Sequence, residues 1–76
     1  MIRELETVAL THDLPEYGLK KGDIGAVVHC YNSSSGFEVE FVTAEGKTIG
    51  VLTLTPDDIR QLGSKEILHV RELTPA

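Results

Sequence analysis

The sequence predicts a small all-β domain, from apolar segments that are short, rich in Val, Ile, Thr and Phe, and bounded by Gly, Pro, Asn or Ser. The clearest single signal is Phe37-Glu38-Val39-Glu40-Phe41, where apolar and acidic residues alternate with the two-residue period of a half-buried strand. A chain of 76 residues supplies one domain, here taken as 1–76 with its core at about 3–73.

Leu5 to Thr11 lacks Gly and Pro and reads as the first strand. A long loop, His12 to Lys21, follows; Pro15 fixes φ there, while Gly18 and Gly22 suit positive-φ turns. Asp23 to Tyr31 is the second strand, with Ile24, Ala26, Val28 and Cys30 expected on one face and Gly25, Val27, His29 and Tyr31 on the other. Gly25 suits a bulge or a close backbone approach. Asn32 to Gly36 forms a polar hairpin loop before the strand of Phe37, Val39 and Phe41.

Ala44-Glu45-Gly46 turns the chain into a fourth strand, Lys47 to Leu54, with Ile49, Val51 and Thr53 opposite Gly50, Leu52 and Leu54. Val8, Ile24, Val28 and Val51 are expected to share one core with Phe37, Val39 and Phe41. Thr55-Pro56-Asp57-Asp58 carries the marks of a helix start, and Gly63 those of its end. Glu66 to Leu73 then reads as a last strand with Ile67, Leu68 and Val70 packed, and Thr74-Pro75-Ala76 as a frayed tail. Five strands, a long first loop and a short helical turn before the last strand are the element order of an SH3-like barrel. An OB-fold normally needs more residues and a longer helix.

The segment from Asp13 to His29, together with Phe37-Glu38-Val39-Glu40-Phe41 and Val51-Leu52-Thr53-Leu54, resembles the small bacterial family known as domain of unknown function 4926. That resemblance covers nearly the whole chain and implies no established activity, cofactor or catalytic residue. Lys21-Gly22-Asp23-Ile24-Gly25-Ala26-Val27-Val28 is more loosely similar to the KOW motif of ribosomal and transcription proteins. Similar barrels also serve as parts of larger assemblies, such as the β subunit of nitrile hydratase and small photosynthetic electron-transfer complexes, which by analogy of fold admits a subunit role.

Chemistry-bearing residues are sparse. A barrel this short fills its interior with side chains and leaves no deep cleft, so no catalysis is expected. His12, His29, His69 and Cys30 are the soft metal-ligand candidates, but neighbours on a regular strand face opposite ways, and no metal or other cofactor is expected. Cys30, the single cysteine, reads as a small buried hydrophobe in a reducing cytoplasm. No leader pattern opens the chain, and no apolar run approaches membrane-spanning length.

A net charge of −5 disfavours nucleic acid and anionic lipid and leaves another protein as the expected partner. Glu38 with Glu40, and Asp57 with Asp58, read as a solvated sheet face and a helix start. The absence of Trp argues against a polyproline groove. The expected function is therefore a non-catalytic protein-interaction module of accessory, regulatory or antitoxin-like character. Its expected contact residues are Asp13, Glu16, Tyr17, Lys20 and Lys21 on the long loop, with Tyr31 beside them.

Overall fold

A computed structural model describes residues 2–32 and 35–73. Its elements are β1 (Thr7–Leu10), a 3-10 turn η1 (Pro15–Tyr17), β2 (Ile24–Cys30), β3 (Phe37–Val42), β4 (Thr48–Leu54) and β5 (Ile59–Gln61). The expected frayed tail Thr74-Pro75-Ala76 and Ser33-Ser34 of the hairpin loop lie outside the described residues. All five strands join one antiparallel sheet in the order β4-β3-β2-β1-β5.

The protein is thus all-β. No ladder joins the two edge strands, β4 and β5, so the sheet curls without closing. The curl follows from chain length. Four strand spacings in a flat sheet amount to roughly 19 Å. The connection from Leu54 to Ile59 reaches at most about 18 Å even when straight, and it is folded into a turn by a 2.9 Å hydrogen bond from Asp58 N–H to the Thr55 carbonyl. The two edges are therefore drawn together around a core of Val8, Leu10, Val27, Val39, Phe37 and Phe41, with Leu54 and Ile59 supplied by the edges themselves.

Two register shifts decide which side chains enter that core. Between Val27 and His29 β2 carries an extra residue. Gly25 and Val27 are consequently buried, Val28 is 42% exposed, and the face then switches so that Cys30 packs on the core. Ile24 and Val28, expected inside, therefore lie elsewhere: Ile24 is half-buried on the outer face and Val28 is in solvent. In β4 a shift beside Val42 sets Gly50, Leu52 and Leu54 opposite Phe41, Val39 and Phe37, and Val51, also expected inside, is 49% exposed. Phe37, Val39 and Phe41 are buried as their alternation requires.

Gly25 meets the close approach expected of it, since a Cβ there would lie 2.6 Å from Val39 Cγ1 and 3.0 Å from the Glu40 carbonyl.

The helical turn expected after Thr55 is absent. The Asp58 carboxylate folds back onto Thr55, accepting from its N–H at 2.8 Å and its hydroxyl at 3.0 Å, and the chain leaves the turn extended as β5. A strand wins because Ile59, Arg60 and Gln61 satisfy the open edge of β1 and bury Ile59, whereas a two-turn helix would bring only Ile59 and Leu62 as apolar residues. The last strand is therefore Ile59–Gln61 and not Glu66–Leu73. Ile67 and Val70, expected to pack, are 92% and 88% exposed, and Leu68 is 64% exposed.

Residues 62–73 instead form a strap. Ala9 pairs with Ile24 and Arg60 on the outer face of the sheet. Ala9 is nonetheless buried, and the strap's Leu62, Glu66, Ile67 and Leu68 line a hollow beside it.

Candidate functional site

The long loop is an arm with its own framework. Leu14 and Leu19 exchange both backbone hydrogen bonds, at 2.9 and 3.1 Å, and turn their side chains toward the core. The three residues that follow Leu14 make η1, which is capped by Gly18 with φ +71°. Such a left-handed cap favours glycine, which lacks the Cβ that would clash. The arm's return is fastened by side-chain caps: Asp13 accepts from Lys21 N–H and Asp23 from Lys20 N–H, both at 2.8 Å.

This framework divides the expected contact residues. Glu16, Tyr17, Lys20 and Lys21 are exposed on the arm, and Asp13, though exposed, spends its carboxylate on the Lys21 amide. Tyr17 is 51% exposed at the tip. Tyr31 does not join them. It follows the far end of β2, seven residues long and so roughly 20 Å away. There its hydroxyl donates to Glu38 at 2.7 Å, and its ring meets His29 edge to face, with centroids 4.8 Å apart.

Thr53 donates to the same Glu38 carboxylate. Those two donors, Thr53 before Tyr31, hold Glu38 below the usual carboxylate range, the reverse of what a proton donor at neutral pH needs. Glu40 accepts from the Thr48 hydroxyl at 3.0 Å. Among the described residues, no three His, Cys, Asp or Glu side chains come together in a way that could hold a metal ion. No helix among them is long and apolar enough to cross a membrane.

At the base of the arm, His12 Nε2 lies 2.7 Å from Asp58 and Nδ1 2.9 Å from the Asp13 carbonyl. Both partners only accept, so both ring nitrogens donate only when the ring is protonated. Its affinity for the proton is accordingly raised, chiefly by Asp58, and His12 in turn is the main cause that lowers Asp58.

Arg71 was not foreseen as part of this region. Its guanidinium forks onto both oxygens of Asp23 and donates to the Gly18 carbonyl at 2.9 Å, fastening the strap to the arm. Burial pushes the Asp23 carboxyl up, but Arg71 and the Lys20 amide outweigh it and hold the group low. The available signal was the broken alternation of Glu66-Ile67-Leu68-His69-Val70-Arg71, which no single strand face accommodates. A groove of about 440 Å³ opens between arm, strap and the β3–β4 turn, floored by Leu19, Ile24, Phe41 and Ile49.

Residues 4–61 match the family described as Domain of unknown function (DUF4926). The chain belongs to this family. No curated protein and no solved structure matches it. The DUF4926 match takes in the whole sheet and the arm and ends with β5, so the strap, Arg71 included, lies beyond it.

Proposed function

We propose that this DUF4926 domain is a non-catalytic protein-interaction module, an accessory, regulatory or antitoxin-like protein that docks a partner protein through its arm in a reducing cytoplasm. The observation carrying this reading is Tyr17: a ring half in solvent, at the tip of an arm whose backbone is fastened by paired hydrogen bonds. A ring presented on a rigid loop loses little entropy on binding and can bury a large area. Lys20 and Lys21 follow it on the arm, but Asp13, Glu16 and Asp23 interrupt any basic stripe, which favours a protein surface over a phosphate backbone.

Affinity capture of the tagged protein from its host, with Tyr17→Ala run in parallel, tests the reading. The variant is expected to keep its Tm, because Leu14 and Leu19 and not Tyr17 seal the core, and to weaken partner binding by about 2 kcal/mol or more. A Tm loss of several degrees with undiminished binding would place the interface elsewhere. RNA in the eluate, lost at moderate salt, would favour the KOW-like alternative, and co-purification with an enzyme activity the subunit role.

A further inference from the structure

The strap is held at two charged points with hollow space beside it. At its start, Arg60 forks onto Glu66, both bonds at 2.7 Å, and Glu66 also accepts from Gly63 N–H. At its end, Arg71 forks onto Asp23. Among the described residues, no backbone hydrogen bond joins Ser64–Leu73 to the sheet. Ile67 and Val70 stand almost wholly in solvent, and hollows of about 440 and 210 Å³ flank the segment. A segment serving only as structural cover would bury its aliphatic side chains and satisfy its amides.

We propose that the strap is an internal stand-in for a ligand: the groove binds an extended aliphatic segment of a partner protein that carries one arginine, in exchange for the strap. This deepens the interaction-module reading and rests on it. Charge decides the partner's chemistry. The Asp23 side chain is only 17% exposed and that of Arg71 28%. Those values hold with the strap in place; once Arg71 leaves, the Asp23 carboxylate and the Gly18 carbonyl stand as two converging acceptors with an uncompensated negative charge, and a cation on the incoming segment satisfies both. A guanidinium fits both acceptors at once, as Arg71 does; an ammonium lacks that planar fork. Leu68 and Leu73, which line the groove, mark where aliphatic side chains on either side of the arginine would lie.

The probe is a fluorescein-labelled peptide with the sequence of Lys65–Leu73, titrated against the full-length chain and read by anisotropy. Arg71→Ala and Glu66→Ala each open one tether, and each is expected to bind the peptide at least about tenfold tighter than the wild type, because a competing internal segment lowers apparent affinity by the fraction of open groove. Adding Asp23→Asn to Arg71→Ala, or replacing the peptide's arginine by alanine, is expected to remove the gain. Should Arg71→Ala fail to fold by circular dichroism, Glu66→Ala, which leaves the groove floor intact, decides. Equal binding by wild type and the opened variants, or equal binding of the arginine-free peptide, overturns the proposal. So does strap-exchanged dimerisation of the variants without a gain in peptide binding, which would make a second copy the occupant. A failed peptide experiment alongside Tyr17-dependent partner capture removes the strap proposal and leaves the interaction module standing.

Discussion

At the scale of single residues, Gly25 and Val28 show how one backbone irregularity redistributes importance along a strand. Gly25 lies beneath Val39, Phe41 and the Glu40 carbonyl with no room for a methyl group. Val28, three residues on, stands 42% exposed beside the bulge. Gly25→Ala is therefore expected to destabilise by about 1–3 kcal/mol through overpacking against backbone that cannot yield. Val28→Thr should stay within about 0.5 kcal/mol of wild type, as surface changes generally do. Urea denaturation of the two variants checks both, and a costly Val28→Thr beside a harmless Gly25→Ala would invert the register described for β2.

At the scale of elements, the turn between β4 and β5 is clasped to the arm by His12 and Asp58, with Thr11 donating its hydroxyl to the Asp57 carbonyl at 2.6 Å. The histidine holds its proton above the ordinary 6.5, so its contribution is complete below that value and is lost as pH rises through the raised one. Asp58 is depressed from 3.8, so its contribution is present above 3.8 and is lost as pH falls. The clasp is thus fullest between these limits. The Tm of the wild type is expected to decline as pH rises above 6.5, and His12→Gln to flatten that decline. Parallel profiles for the two proteins would show that the clasp does not contribute to stability.

For the whole molecule, the sheet and the strap are two parts held by different forces. The sheet is held by a shared core, which does not titrate in acid, and the strap by carboxylate–guanidinium forks, which do. Arg60, followed by the Gly63 amide, lowers Glu66 from its ordinary 4.5 to about 2, and Asp23 is also held low. Both groups have depressed folded-state values, so their tethering persists above the ordinary carboxylate range and fails as pH falls toward about 2. Methyl resonances of Leu68 and Leu73 are expected to move toward random-coil positions over that window before those of Val8, Val27 and Val39 do. Simultaneous loss of both sets would mean that strap and sheet unfold as one unit.

Much of the fold was legible from residue order because it rests on local chemistry. Alternation in Phe37–Phe41 places those rings inside, glycine marks the cap at Gly18, and Pro15 with Gly18 and Gly22 sets off the arm that carries Tyr17. Only the tertiary structure decided the rest. Val28 and Val51 were expected inside because alternation was carried through positions where the ladder slips, and a slip is set by the partner strand, not by the strand's own residues. Thr55-Pro56-Asp57-Asp58 carries every local mark of a helix start, but the open edge of β1 makes Ile59–Gln61 worth more as a ladder. Arg71 entered the candidate site for the same reason. It lies 48 positions along the chain from Asp23, and nothing in the spacing of either residue announces a pairing that only the path of the strap brings about.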